Sequence, residues 1–213
     1  GEFLVEANDQ SALQRLSAAG QPFVAGAALN LYNPATLAVL SRAGMRRWQA
    51  PVEMSKEDLA RLLADCREQD LEAPCEVFAY GHLPLAWSSR CFTARRYQKP
   101  KDRCQFVCQK HPEGLALRTQ ETTQVFTLNG IQTLSGACQD LRHELPVMAE
   151  MGVGIARLSP RPEGMAEVVA AFDASRRGEL PAQDPLSLVD AEICDGYWHG
   201  RPGMDNSRDA QRA

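Results

Sequence analysis

Short apolar runs alternate with amphipathic helical patterns along most of the chain, and this alternation constrains its fold more than any other feature. Six runs predict buried strands: "EFLVEA", "PFVAGAALNLY", "MRRWQAPVEM", "CEVFAYG", "TQVFTLN" and "VGIARLSP". Three helices are predicted to begin near Asp9, Asn33 and Ser55, which are residue types that cap helix N-termini. Two more are predicted over 135–152 and 163–179. Strands separated by helices predict an α/β fold with a parallel sheet and helical crossovers.

Two architectures fit this alternation. An open doubly wound sheet needs no more strands, but no phosphate-binding glycine fingerprint follows any of them. A (β/α) barrel of the TIM type has eight strands and would need about two more βα units. Because the chain enters directly on the apolar run "GEFLVEA", we expect a barrel fragment that lacks about the first two βα units. Residues 1–177 would then be the C-terminal portion of a single barrel domain, including a Cys-containing loop at 90–114, and 178–213 a C-terminal tail with a poorly ordered end.

Composition excludes two classes of partner. A net charge of −4 at pH 7 argues against nucleic-acid binding, which usually requires a basic domain. Residues 16–41 carry no charged side chain and are long enough to span a bilayer, but Gly20, Pro22, Gly26 and Pro34 interrupt them, so no membrane insertion is predicted. Seven cysteines, an odd number, and the lack of an opening signal peptide favour a reducing, cytoplasmic location.

Three of the cysteines share one polar stretch, "RCFTARRYQKPKDRCQFVCQKHPEG", at residues 90–114. They are Cys91, Cys104 and Cys108. Seven basic residues accompany them: Arg90, Arg95, Arg96, Lys99, Lys101, Arg103 and Lys110. The stretch has no apolar periodicity, so packing does not explain these thiols. The other four cysteines are predicted to be buried or incidental, since free Cys is among the most buried residue types. They are Cys66, Cys75, Cys138 and Cys194.

The residues leave three interpretations of this stretch open. The thiols could be unrelated surface groups, although exposed reactive Cys is liable to oxidation. Zinc could bind the three thiolates and His111, but structural zinc sites usually show paired short C-x(2–4)-C knuckles, and only one short pair is present. An iron–sulfur cluster fits better, because flanking Arg and Lys would offset the negative charge of a thiolate-ligated cluster. Three cysteines do not complete a set of four thiolate ligands.

At "CEVFAYGHLPLAWSSRCF" the chain resembles the collagenase-like peptidase superfamily. The superfamily signature runs Glu-x-Phe-x-x-Gly, then a Cys, then an aromatic-Ser-Gly-x-Cys. Glu76, Phe78, Gly81, Trp87, Ser88 and Cys91 match it. Pro84 stands in place of the earlier signature Cys, and Ser89 in place of the signature Gly. Further stretches resemble its UbiV-type branch of ubiquinone-biosynthesis proteins: "GEFLVEA", "PFVAGAALNLYN", "KDRCQFVC", "VFTLNGIQTLSG" and "CDGYW".

The resemblance implies a barrel protein that acts in oxygen-independent hydroxylation of the ubiquinone ring. It implies a UbiU-like protein as heterodimer partner, a quinone precursor as small-molecule substrate, and a 4Fe-4S cluster on four cysteines. Cys91, Cys104 and Cys108 match the last three of those cluster ligands. The first is expected upstream of residue 1. The chain would then be a subunit of a hydroxylase, with unknown catalytic residues.

The alternative is a collagenase-like peptidase of the same superfamily. Peptidase activity is not expected, because a cysteine nucleophile needs a nearby base and Pro84 replaces one signature thiol. His82 is a candidate base. Glu6 and Glu53 end predicted strands, where barrel chemistry is built, but solvated or capping carboxylates explain them equally well.

Overall fold

A computed structural model describes residues 3–179 and 192–207, which form a mixed α/β fold. Residues 3–79, 144–157 and 196–203 form one compact unit, and residues 80–143, 158–179, 192–195 and 204–207 form a second. Among the described residues, no helix has the length and apolar character needed to cross a membrane.

The first unit contains parallel strands in sequential order. Its elements are β1 (Val5–Ala7), α1 (Gln10–Ala18), β2 (Phe23–Ala25), α2 (Pro34–Arg42), β3 (Met45–Gln49), α3 (Lys56–Glu68), the first residues of β4 (Cys75–Trp87), α5 (Leu145–Met151) and most of β8 (Val153–Leu158). β1 pairs with β2, β2 with β3, and β3 with β4, all in parallel, and β8 also pairs with β4. A doubly wound sheet reverses its strand order, so this sequential order is consistent with part of a barrel.

Helix starts in this unit follow the predicted caps. The side chains of Asp9, Asn33 and Ser55 accept hydrogen bonds from the backbone N–H groups three residues later. These bonds satisfy donors that a helix N-terminus otherwise leaves unpaired. The predicted apolar face of α3 is also confirmed. Its buried residues are Leu59, Leu62, Leu63 and Cys66.

The second unit is built on antiparallel pairing. Its elements are the rest of β4, α4 (Phe92–Arg96), β5 (Leu115–Arg118), β6 (Gln124–Asn129), β7 (Gln132–Asp140), α6 (Met165–Arg176) and β9 (Ile193–Cys194). β4 pairs with β7, β7 with β6, and β6 with β5, all antiparallel, while β9 runs parallel to β7. The core of this unit includes Tyr80 on β4, whose ring meets that of Phe172 on α6 edge-on at 5.8 Å. The expectation of a purely parallel sheet is therefore wrong for this unit.

The prediction of a single helix over 135–152 is wrong. Residues 132–140 form β7, and helix α5 begins only at Leu145. The two-residue loop Gly130-Ile131 joins β6 directly to β7, with Gly130 at φ 61°, which glycine adopts without steric cost. Pro146 lies in the first turn of α5, where its missing N–H is not needed, so it starts a helix rather than disturbing one.

The predicted tail contributes in part to the described structure. Within 192–207, β9 pairs with β7, and Cys194 and Trp198 are buried. The end of the tail, which the sequence predicts to be poorly ordered, lies outside the described residues, as do residues 180–191.

Candidate functional site

The segment that carries the three predicted ligand cysteines runs between β4 and β7, which are neighbouring antiparallel strands of the second unit. Trp87, the last residue of β4, pairs with Gln132, the first residue of β7. The Ser88 N–H then donates to the Ile131 carbonyl at 2.8 Å. Residues 88–131, which we call the thiol segment, therefore begin and end at adjacent positions. Residues 88–114, which hold the three cysteines, lie outside the sheet, and the rest of the segment returns to β7 through β5 and β6.

Each predicted ligand occupies a different turn of the thiol segment. Cys91 caps α4, and its Sγ accepts a hydrogen bond from the Ala94 N–H at 3.4 Å. Cys104 follows a 3-10 turn at Lys101–Arg103, and Cys108 lies within another at Val107–Lys110. All three thiols are free and partly exposed. Their exposure leaves the thiols accessible to a ligand.

The other four cysteines are buried, as the sequence predicted. Burial raises the pKa of Cys138 and of Cys194 to about 12, and it also raises the pKa values of Cys66 and Cys75. A thiol must lose its proton to bind iron or zinc, and burial in apolar surroundings opposes that loss. The structure therefore divides the cysteines into a partly exposed group of three and a desolvated group of four.

Positive charge on the thiol segment is not neutralised locally. Of its seven basic residues between 90 and 110, only Lys99 is partly buried and the other six are exposed. Within 3–179 and 192–207, none of the seven forms an ion pair with a carboxylate. Their charge is available to an anionic group near the thiols.

The backbone between Cys104 and Cys108 takes an uncommon conformation. Gln105 and Phe106 are consecutive left-handed residues, with φ of 56° and 49°, and Phe106 is exposed. Non-glycine residues in this region cost of the order of 1 kcal/mol each, and such positions concentrate at functional sites. The chain therefore maintains a strained turn between two of the three thiols.

His111, the candidate fourth ligand for zinc, is engaged elsewhere. Its Nε2 lies 2.8 Å from the hydroxyl of Tyr97, and the two rings are tilted at 41° with centroids 5.8 Å apart. The Lys110 ammonium lies 5.5 Å from the centroid of the same Tyr97 ring. The contact between Tyr97 and His111 joins the two ends of residues 97–111, the stretch that holds Cys104 and Cys108.

The structure does not assemble a ready metal site. Among the residues it describes, no three His, Cys, Asp or Glu side chains come together in a group that could hold a metal ion. Cys91, Cys104 and Cys108 thus share one segment without forming a preassembled ligand group. The donor chemistry nevertheless suits an iron–sulfur cluster, because three free, accessible thiols share a basic segment.

His82, the candidate base, lies on β4 and is partly buried. Its Nδ1 is 2.8 Å from the Ser135 carbonyl oxygen, which can only accept, so Nδ1 carries the proton and Nε2 holds a lone pair. Burial lowers the pKa of His82 below its ordinary 6.5, although the backbone hydrogen bonds oppose this shift. His82 is therefore a neutral imidazole near pH 7, with Nε2 free of a proton.

We expect the free energy of unfolding to depend on His82 below pH 6.5. The lowered pKa means that the unfolded state takes up the proton first, so the protein loses stability as pH falls from 6.5 through the folded pKa. In His82→Asn, an amide N–H can replace the donor but does not titrate, so urea unfolding should show a shallower loss of stability over this interval. Equal slopes for the two proteins would contradict this assignment.

The parallel strands of the first unit carry a charge network that the sequence did not predict. Arg157 on β8 pairs with Glu76 on β4 and with Glu6 on β1, and Arg47 on β3 lies 3.2 Å from Glu76. Burial raises the pKa of Glu6, but hydrogen bonds from Asn8 and Arg157 outweigh it and lower that pKa overall. The strand alternation places these residues in strands, but no sequence signal pairs Arg157 with carboxylates far along the chain.

Glu53 makes a separate contact in the same unit. Its carboxylate accepts a hydrogen bond from the hydroxyl of Tyr32. Partial burial, together with this neighbouring carboxylate, raises the pKa of Tyr32 to about 12. Glu6 and Glu53 are thus each bound by a neighbouring side chain within the first unit.

Fold and site together define a mixed α/β protein with sequentially ordered parallel strands and a basic, three-thiol segment inserted between two antiparallel strands. The chain belongs to peptidase family U32, whose family model matches residues 6–178. This match confirms the resemblance to the collagenase-like peptidase superfamily. No solved structure matches the chain.

Proposed function

We propose that this protein is an iron–sulfur protein of the UbiV type, acting in oxygen-independent hydroxylation of the ubiquinone ring. The observation that carries the proposal is the division of the cysteines. Three free, partly exposed thiols share the basic thiol segment, whereas four are buried with raised pKa values. The particular reaction, hydroxylation of the ubiquinone ring, is proposed from the motif resemblance, which extends along most of the chain.

In this proposal Cys91, Cys104 and Cys108 supply three thiolates to a 4Fe-4S cluster. The cluster would supply electron transfer when bound. The uncompensated Arg and Lys residues around the thiols would offset the negative charge of the cluster. The fourth thiolate would come from upstream of residue 1 rather than from the four buried cysteines, because their desolvation opposes ionisation.

The proposal includes two features of the whole protein. The sequential parallel strands would belong to a TIM-type (β/α) barrel that has about two further βα units. The protein would act with a UbiU-like partner on a quinone precursor. Both the partner and the substrate rest on the motif resemblance.

The test is ubiquinone synthesis without oxygen in cells that lack their own copy of this gene. The wild-type gene should restore synthesis, and Cys104→Ala should not. Cys66→Ala is the matched control, because Cys66 is buried on α3 and is not a proposed ligand. Full synthesis with Cys104→Ala protein at normal abundance would refute the proposed role of the thiols. Peptide cleavage by the pure protein that is lost in Cys91→Ala would instead support the peptidase alternative.

A further inference from the structure

Arg161 lies in the loop that follows β8, within the second unit. The Ser159 N–H donates to the Tyr80 carbonyl at 2.8 Å, which fixes this loop to β4. The Arg161 side chain is only 15% exposed. A guanidinium this buried needs partners for most of its five N–H donors, because a desolvated charge without them is costly.

The partners of Arg161 among the described residues are weak. Its Nη1 is 3.3 Å from the Tyr80 hydroxyl, which is long for a hydrogen bond, and its Nη2 is 3.9 Å from a Glu113 carboxylate oxygen. Its Nε is buried and has no hydrogen-bond partner within 3–179 and 192–207. The Glu113 side chain is 57% exposed, so solvent screens its attraction for Arg161.

Arg142 shows how the same unit satisfies a buried guanidinium. Its side chain is 2% exposed, and its Nε and Nη2 donate to both carboxylate oxygens of Asp140 at 2.8 to 3.0 Å. Arg161 has no such bidentate acceptor among residues 3–179 and 192–207. The contrast indicates that Arg161 is held with donors available for an anion that the described part of the chain does not supply.

Two further polar groups lie near Arg161. Tyr80 is 1% exposed, and its hydroxyl can donate a hydrogen bond while it accepts one from Arg161. His82, two residues along β4, lies within electrostatic range of both Arg161 and Glu113. In (β/α) folds, the loops after the strands are where ligands bind, and Arg161 occupies such a loop.

We propose that Arg161 and Tyr80 form a binding site for an oxyanion, a carboxylate or phosphate group of a small molecule. The planar guanidinium suits such a group because its parallel N–H donors match two oxygens at once. Glu113 closes the site when no anion is bound and moves away when one enters, as its exposure permits. This site does not depend on the iron–sulfur proposal, since none of its residues is a proposed cluster ligand.

The test is a titration of the purified protein with inorganic phosphate and, separately, with acetate, followed by NMR. The Arg161 Nε–H signal, assigned by its absence in Arg161→Lys, should shift in a saturable manner. The backbone N–H signal of Ser159, in the same loop, reports binding in Arg161→Lys as well. We expect a Kd of about 1–10 mM, because so small a ligand makes few contacts. Whichever anion binds more tightly identifies the group the site prefers.

Three variants test the assignment. Arg161→Lys keeps the charge but loses the fork of donors, and should weaken binding about 10-fold or more. Glu113→Gln removes the competing carboxylate and should tighten binding about 3-fold, a gain that a purely structural role for Arg161 does not explain. Arg176→Lys is the control, because Arg176 is an exposed residue of α6, and it should leave binding unchanged.

Two results would overturn the proposal. One is a wild-type Arg161 Nε–H signal that responds to neither anion. The other is an Arg161→Lys protein that binds as tightly as wild type. If Arg161→Lys does not fold, the wild-type and Glu113→Gln titrations decide the question, and equal affinity in those two proteins would contradict the proposed competition with Glu113.

Discussion

Replacing Cys104 or Cys108 by Ala is expected to abolish the iron–sulfur absorption band of the anaerobically purified protein. Both thiols are free and partly exposed, and they border the strained turn at Gln105 and Phe106. Removing one proposed ligand leaves a cluster iron without its thiolate, so the cluster is bound less tightly and is lost during purification. Iron and sulfide analysis, together with visible absorption, measures the loss. Cys91 is a poorer choice for substitution because its thiol also caps α4.

Cys66→Ala and Cys194→Ala provide the matched controls for this experiment. Each removes one thiol, but both positions are buried, so iron content should stay at the wild-type level. Stoichiometric zinc without iron in the anaerobically purified wild type would contradict the cluster proposal. Loss of iron in both buried variants and in neither segment variant would move the ligands to the other group of cysteines.

Asp140→Asn is expected to lower the free energy of unfolding by about 3–5 kcal/mol. The substitution leaves Arg142 charged, 2% exposed, and without the carboxylate that now accepts from its Nε and Nη2. Breaking one side of a buried ion pair is costly because the remaining charge stays desolvated. Urea or thermal unfolding of the variant measures the loss.

The double variant Asp140→Leu with Arg142→Met tests whether the cost comes from the buried charge of Arg142. Replacing both members by apolar residues removes the desolvated charge, so much of the lost stability should return. Asp58→Asn is a surface comparison, because it breaks the exposed pair with Arg61, and its effect should be far smaller. A double variant no more stable than Asp140→Asn would show that the pair is needed for the shape of the turn after β7.

Local signals in the sequence predicted local structure well. The caps at Asp9, Asn33 and Ser55 and the buried face of α3 depend on residues a few positions apart, so they can be read directly. The error at 135–152 arose because Cys138, Leu141 and Leu145 match a helical spacing, while the hairpin turn at Gly130-Ile131 lies just upstream. A turn signal of that kind favours two adjacent strands over a following helix.

The candidate site was predictable to a similar degree. The sequence predicted that three cysteines lie in a polar segment and that the other four are packed in the interior. The structure confirms this division, because the first three are partly exposed and the other four are buried. The contacts of Arg157 with Glu6 and Glu76 and the partial burial of Arg161 join distant parts of the chain. No local pattern encodes such pairings, because they depend on strand order and register. Cluster ligation by Cys91, Cys104 and Cys108 remains a prediction.

The pairing of Trp87 with Gln132 has an evolutionary consequence. Since the thiol segment begins and ends at neighbouring positions, its part outside the sheet, residues 88–114, can change in length or composition without shifting the register of β4 and β7. The entropic cost of closing a longer loop rises only slowly with its length. Descendants of one ancestral scaffold could therefore acquire or lose thiols here by insertion, deletion or drift while the sheet is inherited intact. Relatives with the same fold need not share the same chemistry.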